Sequence, residues 1–323
     1  MRALLRLCAA VALAAGLATT ASAEAWPGRP IKLINGFVPG GSSDLLARFL
    51  ADRLGPLLGQ PVIVEPHTGA GGLVAGQLVA QAEPDGYTLL QVTMGMLSIS
   101  PVMPGIPMTF DPDKDLTPVF KTAGLYNVLI VDPRLPITTI AELIGYARAN
   151  PGKLTYGSAG NGSSQHLSAE LFKSLAGIDL LHIPYRGSTP AMTDVIGGRV
   201  SCMFTNLSDV LPQVQAGQLR AVAYGSIPGS PLAPAPTIAE SGVPEFRIDN
   251  WYGIAAPHAT PPAIVERLNR EMNRIVATPD GQAVLERLGF MPLGGTIADF
   301  GQTILRDRAK WARLIESQGI RAE

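Results

Sequence analysis

The stretch VPGGSSD, Val38 to Asp44, separates an apolar run, Ile31 to Phe37, from Leu45, Leu46, Phe49, Leu50 and Leu54 at helical spacing. A Gly/Ser turn between a strand and a helix is the repeating unit of α/β proteins. Two further turns of the same kind follow, TGAGG from Thr68 to Gly72 and SAGNGSS from Ser158 to Ser164. A helix start leaves its first N–H groups unpaired and carries partial positive charge, so it attracts anions without lysine or arginine. None of the three turns contains either residue. Glycine lets the backbone come close to a ligand, and serine adds hydroxyl donors. Three such turns point to a receptor for small anions, with carboxylates as the natural class.

Outward from these turns, short β-like runs alternate with helical patterns. The runs are Ile31 to Phe37, Val62 to Glu65, Tyr87 to Val92, Val128 to Val131, Leu154 to Gly157, Val200 to Phe204 and Leu219 to Tyr224. A helix is expected after Ser42, with Ser42 or Ser43 as its cap, another from Thr139 with Glu142 completing a capping box, and another from about Ser163 to Leu175. Residues 101 to 118 and 227 to 250 break the rhythm with proline and aspartate. A strand-like run, Trp251 to Pro257, and helices starting near Pro261, Pro279 and Ile297 close the chain. The reading is an α/β fold of two lobes, each a mostly parallel sheet flanked by helices. Both chain ends, residues 24–126 and 227–323, are expected to form lobe 1, and residues 127–226 lobe 2.

The length of 323 residues agrees with two lobes, since one hydrophobic core seldom holds that many. Arg2 and Arg6 precede an apolar run from Leu7 to Leu17, and Ala21-Ser22-Ala23 offers a small-residue cleavage site. Residues 1–23 thus read as a secretory signal peptide cleaved after Ala23, the run being shorter than the roughly 20 residues a membrane span needs. The formal net charge is −1, more negative still without Arg2 and Arg6, which disfavours a nucleic-acid partner. Of the two cysteines only Cys202 lies beyond the leader, which excludes an intrachain disulfide and a cysteine zinc site. Neither a cofactor nor a metal is expected.

Other chemistries fit less well. Gly69-Ala70-Gly71 is followed by Val74 where a dinucleotide fingerprint needs Gly or Ala, and no Gly-Lys-Ser/Thr phosphate loop is present. Asp111, Asp113 and Asp115 lack the glycine and distal glutamate of a calcium loop. The rival from another class is a serine esterase using Ser158, because Tyr156-Gly157-Ser158-Ala159-Gly160 nearly reproduces G-x-S-x-G, with Tyr156 in the first glycine position. Its histidine would come from His67, His166, His182 or His258. Arg186 on its turn, and Trp251 and Tyr252 after the proline-rich connection, are weaker candidates for the cleft.

Six collinear segments carry a resemblance: WPGRPIKLINGFVPGGSSDLLAR, GQPVIVEPHTGAGG, PDGYTLL, KLTYGSAGNGSSQHL, HIPYRGSTPAMTDVIGGRV and QAGQLRAVA. In this order, from Trp26 to Ile320, the chain resembles the tripartite tricarboxylate transporter receptors, also called Bug solute receptors. The resemblance implies a periplasmic, type II solute-binding fold, a monomer, with a small organic acid, amino acid or aromatic carboxylate held between the lobes. It implies delivery of the ligand to membrane permease subunits, or alternatively its presentation to a membrane sensor kinase, without chemistry on the ligand. Carried over by position, Phe37, Gly40, Gly41, Ser42, Gly69, Ala70 and Gly71 would face the ligand from lobe 1. Ser158, Gly160, Asn161, Ser163, Thr205 and Asn206 would face it from lobe 2. Thr93 and Met94 would line the floor, and His166 offers packing or a polar contact to the ligand. Two departures stand out: Gly36 precedes Phe37 where the family commonly has proline, and Thr205 stands where aspartate is frequent. A neutral Thr205 suggests a ligand without an amino group.

Overall fold

The structure, a computed structural model, describes residues 26–225 and 234–322. The expected signal peptide, its cleavage site, and Pro228 and Pro231 lie outside these residues.

Two sheets organise the molecule. The first contains β1 (Ile31–Asn35), β2 (Val62–Pro66), β3 (Thr88–Thr93), β4 (Leu116–Leu125), β10 (Asn250–Pro257) and β11 (Phe290–Pro292), in the order β11-β4-β10-β3-β1-β2. The second contains β5 (Asn127–Val131), β6 (Thr155–Ser158), β7 (Leu181–Pro184), β8 (Cys202–Asn206) and β9 (Arg220–Tyr224), in the order β7-β6-β8-β5-β9. Tyr126 alone separates β4 from β5, so the chain passes from one sheet to the other within a single residue.

The sheets are mixed, where a mostly parallel arrangement was expected. β1 runs parallel to β2 and β3, and β6 parallel to β7 and β8, as strand–helix–strand units require. The antiparallel pairs are that of the short β11 with β4 and those of two strands that arrive from the other sheet. β10 enters between β3 and β4 antiparallel to both, and β5 enters between β8 and β9 antiparallel to both.

Alternation along each strand feeds two faces. Ile31 and Leu33 join one apolar cluster and Ile34 another, while Val128 and Ile130 face away from Leu129 and Val131. One cluster runs without interruption through both lobes, from Leu90 and Phe300 to Phe172 and Phe204. Cys202 is buried in it, and burial pushes its thiol up to about 12, in keeping with an inert core residue.

The helices of eight or more residues are α1 (Ser42–Leu58), α2 (Leu73–Ala80), α3 (Ile140–Ala149), α4 (Ser164–Ala176), α5 (Ser188–Ile196), α6 (Leu207–Gln215), α7 (Pro262–Ala277), α8 (Pro279–Arg287) and α9 (Ile297–Gln318). The capping box expected at Thr139 is present, with the Glu142 N–H donating to Thr139 Oγ1 at 3.2 Å. Neither Ser42 nor Ser43 caps α1; Gly41 occupies that position and makes no side-chain cap bond. That leaves the first α1 amides free for a partner from elsewhere. Among the described residues no helix is long and apolar enough to cross a membrane.

Candidate functional site

Three helix N-termini meet where the lobes face each other. α1 brings Ser42 from lobe 1, and α4 and α5 bring Ser164 and Ser188 from lobe 2. The cavity between them is walled on one side by Phe37, Val38, Gly41, Ser42, Ser43, Thr93 and Tyr252. Ala159, Ser163, Ser164, Gln165 and Ser188 wall it on the other. No lysine or arginine lines it, so the means of attracting an anion here are the converging helix dipoles and amides. The cavity measures about 20 Å³, room for about one water. The lobes are therefore closed on each other.

A polar network spans the closure. The Ser42 amide donates to Asp209 Oδ1 at 2.5 Å across the lobe boundary. The Asp209 carboxylate also accepts from Thr205 Oγ1 at 2.7 Å and from Gln165 Nε2 at 3.4 Å. Asn206 Nδ2 donates to Ser42 Oγ at 3.0 Å and Tyr252 Oη at 3.1 Å, and Asn206 Oδ1 accepts from Asn250 Nδ2 at 2.9 Å. Asn250 Nδ2 reaches Ser164 Oγ at 3.1 Å. Burial and the Asp209 charge raise the Tyr252 phenol well above its ordinary range, so it stays protonated.

The other two glycine turns meet directly. A Cβ placed on Gly71 would come within 2.7 Å of the Asn161 carbonyl oxygen, and one on Gly160 within 3.2 Å of the Gly71 nitrogen. Gly71 has φ +63°, a conformation that favours glycine, so both its backbone angle and its space exclude a side chain.

Of the residues expected at the site, Phe37, Gly41, Ser42, Thr93 and Ser163 stand on the cavity wall. Thr205 and Asn206 stand one layer behind it, reaching it through Asp209, Ser42 and Tyr252. Gly71, Gly160 and Asn161 belong to the turn-to-turn contact, Gly69 and Ala70 precede Gly71 in its turn and are off the cavity wall, and Gly40 is exposed and off the wall with its N–H on Asp44 Oδ2 at 3.1 Å. Met94 points into the apolar core, because the chain turns there into a wide helical turn, Gly95–Ile99. Ser163 also caps α4, accepting from the His166 N–H at 3.2 Å.

Ser158 and His166 face inward. Ser158 Oγ lies 2.7 Å from His182 Nε2 and accepts from the Gly160 N–H at 3.1 Å. Ser158 is fully buried and absent from the cavity wall, and no carboxylate hydrogen-bonds His182 among the described residues. His166 stacks on His182 at 4.5 Å between ring centroids, and its Nδ1 accepts from the Gly162 N–H at 3.3 Å. Arg186 is exposed and off the wall. Trp251 packs edge-on against Phe300 and donates to Asp307 Oδ2 at 2.7 Å, a core role.

Sequence reasoning missed Gln165, Ser188, Asn250 and Asp209. Asn206 and Asp209 carry capping-box spacing, which marks a helix start and could have drawn attention to the carboxylate. Asp209 also removes the premise for a ligand without an amino group. Thr205 is neutral, but its hydroxyl holds a carboxylate in the same place.

Residues 46–320 match the family model described as tripartite tricarboxylate transporter family receptor. Protein BugT of Bordetella pertussis is 37% identical over 313 residues, covering 95% of this chain and 94% of BugT. A solved structure described as R. palustris Rpa4515 with adipate superposes with a TM-score of 0.88 at 36% identity, covering 92% of this chain and 99% of that one. MatC (Rpa3494) from Rhodopseudomonas palustris with bound malate gives a TM-score of 0.85 at 28% identity, covering 90% and 100%.

Proposed function

The chain belongs to the tripartite tricarboxylate transporter receptor family, and from that premise we propose that it is a periplasmic receptor for a small di- or tricarboxylic or aromatic acid. The receptor captures its ligand between lobe 1, residues 24–126 and 227–323, and lobe 2, residues 127–226. It then hands the ligand to membrane permease subunits without altering it. The leader read from residues 1–23 supports export.

The observation that carries this reading is the carboxylate already seated on α1: Asp209 accepts from the first helical amide of a cleft with no basic side chain. Preorganised amides and hydroxyls can hold a carboxylate, and a neutral wall lets it leave again, as transport requires. The adipate and malate held by the two structural relatives support the same class. Burial of Ser158 weighs against an esterase.

Thermal melting of the purified protein, stripped of bound ligand by unfolding and refolding, tests the proposal against a panel of mono-, di- and tricarboxylates, amino acids and aromatic acids. A ligand at about a hundred times its Kd stabilises by about 2.7 kcal/mol, a visible shift in Tm. A saturable shift with one carboxylate class, without turnover, is expected. No shift with any carboxylate, together with ester hydrolysis lost in Ser158→Ala, would overturn the reading.

A further inference from the structure

Resting on the carboxylate-receptor reading, we propose that Asp209 decides which carboxylates the cleft accepts: acids that carry a hydroxyl or an ammonium group beside the docked carboxylate. Asp209 is only 7% exposed. Its donors are the Ser42 amide, the Thr205 hydroxyl, Gln165 Nε2 and, at 3.4 and 3.5 Å, the Asn206 main-chain N–H and Nδ2. No lysine or arginine pairs with it among the described residues. It is a buried charge held by dipoles alone, four of its donors coming from its own lobe and one from the other.

The donor from the other lobe is the one a ligand needs. A carboxylate docking on the α1 N-terminus takes the Ser42 amide, and the 20 Å³ cavity has no room for it while Asp209 holds that amide. Ligand entry therefore parts Asp209 Oδ1 from Ser42 and leaves two carboxylates side by side in a buried place without a cation. Like charges at such distances resist joint ionisation, and a buried acceptor stripped of its donor loses more than the bond was worth. An unsubstituted diacid offers no remedy. A ligand with an O–H or N⁺–H on the carbon next to its carboxylate donates to the vacated Oδ1, and an ammonium also neutralises one of the charges.

The test is calorimetry on the ligand-stripped protein with matched acids at each chain length: succinate, malate and aspartate, then glutarate, 2-hydroxyglutarate and glutamate, then adipate and 2-aminoadipate. In the chain length that binds best, the donor-bearing acids should bind about ten- to a hundredfold tighter than the unsubstituted one, the range for a hydrogen bond to a charged group. Asp209→Asn should erase that preference and leave the unsubstituted acid bound as well or better. Carboxylate binding in which the wild-type protein ranks the unsubstituted acid first, or in which Asp209→Asn keeps the ranking, would overturn the role of Asp209 and leave the receptor standing. The wild-type ranking decides the matter even if Asp209→Asn does not fold. Failure of every carboxylate to bind would remove the receptor reading and this inference with it.

Discussion

Gly41 shows how a single hydrogen atom in place of a side chain keeps an anion site open. Its φ of −86° suits any residue, so the backbone does not demand glycine there. Space does not either, since a Cβ at Gly41 would make ordinary contacts, 3.4 Å from Asp209 Oδ1 and 3.9 Å from Thr189 Oγ1, but charge constrains what can follow that Cβ. Gly41→Asp should therefore fold and lose carboxylate binding by at least about a hundredfold, because a second fixed negative charge would stand at the α1 N-terminus. Calorimetry with the wild-type ligand, alongside a melting curve, checks this. Unchanged affinity in a well-folded variant would show that the ligand does not use these amides.

At the scale of elements, β6, β7 and α4 enclose a stack of three rings, Tyr156 on His182 at 4.6 Å and His182 on His166 at 4.5 Å. Burial pushes His166 down to about 4, helped by the charge of Lys173. Burial also pushes His182 to about 4, with His166 adding to the shift and Glu170 opposing it. In the unfolded chain both titrate near 6.5, so between about pH 6.5 and 4 the unfolded state binds more protons than the folded one. Stability contributed by the neutral rings is complete above about pH 6.5 and drains away as pH falls toward 4. Each ring contributes at most about 3 kcal/mol, less for His182 because solvent reaches part of it. Melting curves from pH 8 to 4 should show this slope, and His166→Asn should flatten it; a slope unchanged by the substitution would place the effect elsewhere.

These elements were legible in the sequence to very different degrees. Strands such as β5 and β9 show as apolar runs bounded by turns, and Thr139 with Glu142 announces α3. β4 does not announce itself, because LTPVFKTAGL carries a proline and a lysine and lacks clean alternation. It is a strand because β10 and β11 pair with it from both sides. The Gly/Ser turns located the lobe-1 wall for a similar local reason. Asp209 could not be assigned to the site, since its partner Ser42 is 167 residues away and only the closed fold brings them together.

For the whole molecule, closure is limited by backbone meeting backbone at Gly71 and Asn161. Gly71→Ala should hold the lobes slightly apart, because the added methyl meets the Asn161 carbonyl in a conformation alanine adopts only under strain. Small-angle scattering of the ligand-saturated proteins should show the wild-type protein more compact than the variant, whose affinity should be about tenfold weaker. Equal compaction in both would relocate the stop. The placement of β10 also carries a consequence for how the chain matures. Lobe 2 is a continuous stretch and can condense as soon as its own residues are available. The first sheet has no such option: Thr93 finds its neighbour only at Tyr252, and Leu125 only at Asn250 and Phe290. Until the last quarter of the polypeptide arrives, β3 and β4 remain two open strand edges with nothing between them, so assembly of this half is governed by contacts distant in sequence, the slowest and most aggregation-exposed kind.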